Sequence, residues 1–289
     1  MKMSKKKQKQ SQVIKIPKPI LYVAKFFQAI SPSLTTKFAA KLFTTPIRHK
    51  LPKRELHMER ESVQKSISIP AIKKKIVVYE YGKSDKKVLL VHGWSGRGTQ
   101  LVKIADELLK MGYMTISFDA PAHGKSKGNY SIMTDFIVSI LELEKQYGKF
   151  EFAIGHSLGG MSILNAIKQN LLVKKAVIIG SGDIIQDVID DFINKLQLKP
   201  TFGIKLRDYF EKRFSGKMDD YSAYKAAKEI KIPVLIMHDK KDDDVSVKAA
   251  YHIHEHLKGS ELAITKGIGH RKILGDEAVI QKIKEFISK

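Results

Sequence analysis

The spacing of hydrophobic residues changes along this chain and predicts where its strands and helices lie. Apolar and polar residues alternate in residues 66–69 and 75–81, which is typical of antiparallel strands with one buried face. Short, almost entirely apolar runs then alternate with helical patterns. These runs are typical of buried strands and cover residues 88–91, 114–118, 152–154, 176–179, 234–237 and 262–264.

This alternation predicts the fold class. Parallel strands need long, usually helical crossovers of right-handed sense, which place helices on both faces of the sheet. We therefore predict an α/β protein with a mostly parallel, doubly wound sheet. Ligands of such sheets bind beyond the carboxyl ends of the strands, so chemically active residues are expected directly after the strands.

Two segments lie outside this alternation. Between Ile179 and Val234, residues 183–229 read as several short helices rich in aromatic side chains, whereas a crossover needs only about a dozen residues. Residues 18–44 hold two further helical patterns, separated by a Ser-Pro-Ser turn. Spacing of the second puts one set of residues on a single face, opposite Lys37 and Lys41: Leu34, Phe38, Ala39, Leu42 and Phe43. This N-terminal arm either packs on the core or lies in a membrane interface.

The most informative motif is a serine in a strand-to-helix turn, with one glycine two residues before it and one two residues after it. Gly155-His156-Ser157-Leu158-Gly159 follows the apolar run at residues 152–154 and precedes a helical pattern. Glycines two residues before and after the serine permit a turn sharp enough to expose its hydroxyl. A serine at such an apex is a candidate nucleophile, which needs a base, an orienting acid and donors for an oxyanion.

Candidate partners follow other strands in a definite order. His92-Gly93-Trp94 ends the run at 88–91, an aspartate-rich loop follows His238, and His270 follows the run at 262–264. With Ser157, these motifs and the loop at residues 118–126 (FDAPAHGKS) resemble the α/β-hydrolase superfamily over about residues 76–289. Within it, the HGW and GHSLG motifs resemble the serine aminopeptidase and monoacylglycerol lipase-like group. The resemblance implies that the insertion at about 183–229, after the sixth strand, is a lid; an extra packing layer is the alternative.

The resemblance also implies roles for individual residues. Ser157 is the expected nucleophile and His270 the expected base. The superfamily pattern puts the acid four residues after His238, which selects Asp242; Asp243, Asp244 and Asp183 are the alternatives. The oxyanion is expected to bind the backbone N–H groups of Leu158 and Trp94.

Trp94 and His156 are also predicted to contact the substrate. The indole of Trp94 either covers the acyl pocket or packs under the lid.

Composition narrows the function classes. The chain has 289 residues, no cysteine and a net charge of +22, of which +16 lies in residues 1–75. Absence of cysteine excludes thiol catalysis and disulfides. The charge predicts a disordered basic tail at residues 1–17 and favours contact of residues 1–50 with anionic membranes. No nucleic-acid motif accompanies it, and no nucleic-acid partner, metal or other cofactor is expected.

The resulting hypothesis is a serine hydrolase that cleaves carboxylic esters or thioesters of lipid-like character through an acyl-enzyme. The alternative is a catalytically silent protein of the same fold that binds anionic membranes. We expect a cytoplasmic protein, with a peripheral position at the inner membrane face if residues 1–50 bind anionic membranes. Its predicted parts are the tail, a helical arm at 18–65 and a hydrolase domain at 66–289.

Overall fold

One eight-stranded sheet forms the centre of the computed structural model, which describes residues 16–289. The predicted basic tail lies almost wholly outside the described residues. The strands are β1 (Val63–Ile69), β2 (Lys74–Tyr81), β3 (Lys87–Val91), β4 (Met114–Asp119), β5 (Phe150–His156), β6 (Val173–Ile179), β7 (Val234–Asp239) and β8 (Glu261–Thr265). Every predicted strand is present.

The strand order is β1-β2-β4-β3-β5-β6-β7-β8. β1 and β2 pair antiparallel, as does β2 with β4, and all other neighbours are parallel. The predicted fold class, a mostly parallel doubly wound sheet, is therefore confirmed. The carboxyl ends of β3, β5, β6, β7 and β8 consequently share one edge of the sheet, which we call the carboxyl edge.

Eleven α-helices lie within residues 16–289. They are α1 (Lys18–Ile30), α2 (Pro32–Phe43), α3 (Leu56–Glu61), α4 (Val102–Lys110), α5 (Met133–Tyr147), α6 (Leu158–Lys168), α7 (Ile185–Lys195), α8 (Thr201–Phe214), α9 (Ala223–Ala227), α10 (Lys248–His256) and α11 (Glu277–Ser288). No helix among these residues has the length and apolar composition needed to cross a bilayer.

Both faces of the sheet are covered, which explains why its central strands are apolar throughout. Successive side chains of β3 enter different cores: Leu89 and Val91 pack into the one that includes α5 and α6, while Val88 and Leu90 pack into the one that includes α4 and α11. Alternate residues of a strand point to opposite faces, so a strand buried on both sides cannot alternate in polarity.

The N-terminal helices pack against the helical insertion, α7 to α9, that connects β6 with β7. Ala24, Ala39 and Ala40 are buried, and the ring of Phe43 lies 5.1 Å from that of Phe192 in α7 and 5.7 Å from that of Phe210 in α8. Small residues at the contact let α1 and α2 approach their neighbours closely. The arm is thus anchored to the folded domain.

One expected member of the packing face of α2 is exposed instead. The side chain of Leu34 is 46% exposed, while Thr35 and Thr36 are buried in its place. Their hydroxyls donate to the carbonyls of Ser31 and Pro32, at 2.8 and 2.9 Å. Each buried hydroxyl therefore has a hydrogen-bond partner. Burial of these threonines avoids the free-energy cost of burying an unpaired polar group.

Candidate active site

Ser157 lies at the carboxyl edge, in the sharp turn between β5 and α6. Its φ and ψ are 53° and −119°, a conformation that L-residues rarely adopt. The flanking glycines are required by space. A Cβ at Gly155 would lie 2.6 Å from the backbone carbon of Gly159, and one at Gly159 would lie 2.3 Å from the carbonyl oxygen of Val91. The turn thus has the strained geometry predicted from the motif.

His270 and Asp242 lie at the same edge and contact each other. His270 follows β8 and Asp242 follows β7, and the distance from His270 Nδ1 to Asp242 Oδ2 is 2.6 Å. Both side chains are shielded, with 8% and 1% exposed. Because Asp242 accepts the hydrogen on Nδ1, the Nε2 atom of His270 is left with a lone pair for accepting a proton.

The carboxylate of Asp242 is held in the charged form. Its Oδ1 accepts the backbone N–H groups of Asp244 and Val245, at 2.9 and 2.8 Å. Burial by itself would raise the pKa of Asp242, but hydrogen bonds from His238 and His270 outweigh burial and bring this pKa well below its ordinary value. A permanent negative charge therefore lies beside the His270 ring.

His238 is a partner of this carboxylate that the sequence analysis missed. Its Nε2 lies 3.3 Å from Asp242 Oδ2 and 3.0 Å from the carbonyl of Val245, so one N–H is shared between two acceptors. His238 is fully buried at the end of β7. Its position four residues before the aspartate was visible in the sequence, but only the loop conformation brings the ring back to the carboxylate.

The other candidate acids have different partners. Asp183 Oδ2 pairs with His252 Nδ1, and Asp183 also accepts the backbone N–H groups of Ala223 and Tyr224, at 2.9 and 2.8 Å. It thereby ties the beginning of the insertion to its end. Asp243 is exposed, and Asp244 lies 3.8 Å from Arg271. Among the four candidates, Asp242 is the one in contact with His270.

Ser157 and the His270–Asp242 pair meet at the end of β6. The N–H of Ser157 donates to the carbonyl of Ile179 at 2.9 Å, and a Cβ on the next residue, Gly180, would lie 3.2 Å from His270 Nδ1. The Ser157 hydroxyl makes no hydrogen bond within residues 16–289. Catalytic hydrogen bonds are often long without substrate, so this absence does not argue against proton transfer from Ser157 to His270.

His156 holds the backbone of the loop that carries His270. Its Nε2 lies 2.9 Å from the carbonyl oxygen of His270, and the two rings are 4.6 Å apart. The His156 side chain is 2% exposed. Its contact with a substrate stays a prediction, whereas its contact with the His270 loop was not foreseen, because it joins residues far apart in the chain.

The loop after β3 lies directly against the elbow. A Cβ at Gly93 would lie 3.0 Å from the Cβ of Ser157. The N–H of Gly93 is already used, since it donates to Gln100 Oε1 at 3.0 Å. In the described part of the chain, the backbone N–H groups of Trp94 and Leu158 have no acceptor. These are the two predicted oxyanion donors, and they are available to a ligand.

Trp94 is half-buried and packs on a second loop. Its ring lies 5.1 Å from that of His123 at an angle of 80°. His123 belongs to the loop after β4 and is itself buried, with Nδ1 2.9 Å from the carbonyl of Pro121. Two loops from neighbouring strands therefore support each other beside Ser157.

The end of the N-terminal arm braces these loops. The N–H of Ile47 donates to Ser95 Oγ at 3.0 Å, and Ser95 has a φ of 56°. Arg48 donates to the carbonyls of Ala122, Ser126 and Gly128, at 3.2, 2.7 and 3.0 Å. No local sequence pattern predicts these contacts, because they join residues that are far apart in the chain. The arm thus holds the loop that carries Trp94.

Two buried histidines near the site predict sensitivity to acid. Burial lowers the pKa of His123 to about 4 and that of His156 to about 3, against about 6.5 in an unfolded chain. Between these values the unfolded chain binds more protons than the folded one, so stability falls as the pH drops below about 6.5. At about pH 5 each histidine should cost about 2 kcal/mol of unfolding free energy relative to about pH 8.

Urea denaturation at the two pH values measures this loss. His123→Gln, which cannot titrate, should reduce the difference between the two pH values by about 2 kcal/mol. Equal stability of the unmodified protein at both pH values would contradict the prediction.

Comparisons with known proteins agree with this architecture. The family model described as the alpha/beta hydrolase fold matches residues 86–228. A search of curated proteins by sequence gave no match.

Three solved structures show the range of similar proteins. An esterase from Pyrococcus furiosus has a TM-score of 0.66 at 21% identity, over 85% of this chain and 97% of its own. A membrane phospholipase A described as a bacterial virulence factor has a TM-score of 0.61 at 15% identity, over 93% of this chain and 96% of its own. A bromoperoxidase from Bacillus anthracis has a TM-score of 0.60 at 17% identity, over 78% of this chain and 99% of its own. Such identities show the fold and leave the reaction open.

Proposed function

Since this chain belongs to the α/β-hydrolase superfamily, we propose that it is a serine hydrolase acting on carboxylic esters or thioesters. One observation carries the proposal. The hydrogen bond of 2.6 Å between His270 and Asp242 lies at the same sheet edge as the strained turn of Ser157. A nucleophile, a base and an orienting acid are thus available in the chain order Ser-Asp-His that this fold uses.

The proposed reaction proceeds through an acyl-enzyme. Ser157 Oγ attacks the carbonyl carbon while His270 Nε2 takes its proton. The tetrahedral intermediate collapses, and His270 returns the proton to the departing alcohol or thiol. Water then attacks the acyl group on Ser157, again with His270 as base, and releases the carboxylic acid. No cofactor is required for these steps.

Electrostatics support the same assignment. The charged Asp242 favours the imidazolium that forms on His270 during each attack. The free N–H groups of Trp94 and Leu158 would stabilise the negative charge on the carbonyl oxygen, and losing one such donor typically costs about a hundredfold or more in kcat. The residue at the turn is a serine, which favours acyl transfer. An aspartate at this position would instead suit dehalogenation.

We further propose that the substrate is lipid-like and that the insertion acts as a lid. The insertion begins just after β6, whose end contacts both Ser157 and the His270 loop, and Asp183 closes its base. The N-terminal arm packs on the insertion and exposes apolar side chains on α1, including Tyr22 and Phe26 at 70% and 61%. Peripheral contact of residues 1–50 with anionic membranes fits this surface and the positive charge of the segment.

A fluorophosphonate probe and a panel of p-nitrophenyl esters, from acetate to palmitate, test the proposal. We expect the probe to label the protein once, at Ser157, and turnover to depend on acyl length. The competing function, a silent membrane-binding protein, predicts neither labelling nor turnover. Absence of both in folded protein would therefore reject the hydrolase.

A further inference from the structure

A cleft of about 300 Å³ separates α2 from α8, and we call it the arm cleft. The loop between β4 and α5 closes one side, and Phe210 lines it as an apolar surface. Its polar lining consists of three cations, two phenols, one amide and two threonine hydroxyls: Lys37, Lys41, Arg213, Tyr130, Tyr209, Asn129, Thr44 and Thr45. No carboxylate lines it. None of these residues has a role in the proposed catalysis.

The three cations are uncompensated. Within the described residues, Lys37, Lys41 and Arg213 have no acidic side chain within 4.0 Å. Residues 1–15 contain no aspartate or glutamate that could supply one. Near the cleft, by contrast, Lys74 is neutralised by Asp135 at 2.7 Å. Three like charges lining one cleft repel each other, and an anion bound between them would relieve the repulsion.

The remaining polar groups suit an anion with several oxygens. Arg213 Nη1 donates to the Tyr209 hydroxyl at 3.0 Å, which leaves further guanidinium N–H groups for a ligand. The Tyr130 hydroxyl is protonated at neutral pH, as in any tyrosine, and can donate; burial raises its pKa further, to about 12. Guanidinium, ammonium and hydroxyl donors together match the oxygens of a phosphate group.

Apolar residues next to the cleft identify the source of that phosphate. Phe214 is 46% exposed and stacks on Phe210, with ring centroids 6.1 Å apart. Leu34 is also 46% exposed and lies one helical turn before Lys37 on the same side of α2. A soluble phosphate compound gains nothing from such neighbours, whereas the surface of a bilayer takes up apolar side chains beside its headgroups.

We propose that the arm cleft binds the phosphate headgroup of an anionic phospholipid in a bilayer surface, with Leu34 and Phe214 entering the interface beside it. This inference rests on the proposed function in one respect, that the substrate is lipid-like and reached at a membrane. It assigns the docking site to named residues, whereas the positive charge of residues 1–50 by itself does not identify a site. The site joins the arm to the insertion, so docking would occur where access to Ser157 is controlled.

Co-sedimentation of the full chain with vesicles tests the site. Vesicles of phosphatidylcholine alone are compared with vesicles that also contain phosphatidylglycerol. The variant K37Q/K41Q/R213Q removes the three cleft cations. K149Q/K231Q/K258Q removes three exposed, unpaired lysines near the beginnings of β5, β7 and β8, at the edge of the sheet opposite the carboxyl edge. It makes the same change in net charge and serves as the control.

We expect binding to the anionic vesicles only, and a loss on the order of a hundredfold in partitioning for the cleft variant. The control variant should lose only a few-fold. Equal losses in the two variants would mean diffuse charge attraction and would overturn the proposal, as would no loss in the cleft variant. If inorganic phosphate binds the cleft in calorimetry while vesicles do not bind, the ligand is a soluble phosphate and the bilayer proposal is wrong.

Two further measurements separate this proposal from its premises. Thermal unfolding shows whether K37Q/K41Q/R213Q folds. The variant K37Q/K41Q changes two exposed positions of α2 only, and it repeats the vesicle comparison without altering α8. Hydrolysis of p-nitrophenyl acetate, a soluble ester, should be unchanged in both variants. If no protein hydrolyses it, the catalytic proposal fails while the vesicle comparison stands. If hydrolysis persists and the cleft variant binds vesicles normally, only the arm cleft is rejected.

Discussion

Ser157→Ala should reduce kcat for p-nitrophenyl acetate on the order of 10⁴-fold or more, because the hydroxyl forms the covalent bond to the acyl group. The remaining rate would come from the oxyanion donors and from binding. The substitution removes one half-buried hydroxyl that makes no hydrogen bond in residues 16–289, so thermal stability should change little. Labelling by a fluorophosphonate should disappear together with turnover.

Ser162→Ala is the matched control for this experiment. Ser162 lies one turn further along α6, and its hydroxyl donates to the carbonyl of Leu158 at 2.8 Å. Its loss should change kcat by no more than a few-fold. If Ser157→Ala retains more than about a tenth of the activity, another group is the nucleophile and the assignment of the turn is wrong.

Asp242→Asn should lower kcat by about 10⁴-fold, although the side chain keeps its size. An amide at this position can offer an N–H to His270 Nδ1, which stabilises the tautomer that carries its hydrogen on Nε2. That tautomer cannot accept the proton of Ser157. The charge that favours the imidazolium is also lost, so both effects act in the same direction.

Two further carboxylate variants make this result specific. Asp243→Asn, at an exposed neighbour, should leave kcat within a few-fold of the unmodified protein. Asp183→Asn should mainly reduce stability, since Asp183 joins the two ends of the insertion and pairs with His252. A larger kcat loss in Asp183→Asn than in Asp242→Asn would identify Asp183 as the acid.

Much of the fold could be predicted because its signals are local. A strand buried on both faces is apolar along its whole length. In the helix that follows it, apolar residues recur instead with the helical period of 3.6 residues. Neither signal depends on distant residues. Gly155 is equally local, since a Cβ there would meet Gly159 of the same turn, whereas a Cβ at Gly159 would meet the carbonyl of Val91 at the end of β3.

The packing of the N-terminal arm was less predictable for the same reason. Spacing assigned Leu34 to the buried face of α2, but hydrogen bonds within the helix make Thr35 and Thr36 acceptable there. Which partner α2 meets depends on Phe192 and Phe210, residues of an insertion about 150 positions later in the chain. Helical periodicity predicts which residues share a face of the helix, but it does not identify the element that packs on that face.

By itself the sequence determined the sheet, the crossover helices and the order of the motifs at the carboxyl edge, because short-range hydrophobic spacing and turn chemistry specify them. It left several carboxylates open as partners of His270. Only the tertiary structure decided that Asp242 contacts this histidine, that His238 and His156 support the pair, and that the arm braces the loop of Trp94. It also brought Lys37, Lys41 and Arg213 to one cleft. These contacts join residues far apart in the chain, and side-chain packing in three dimensions alone brings them together.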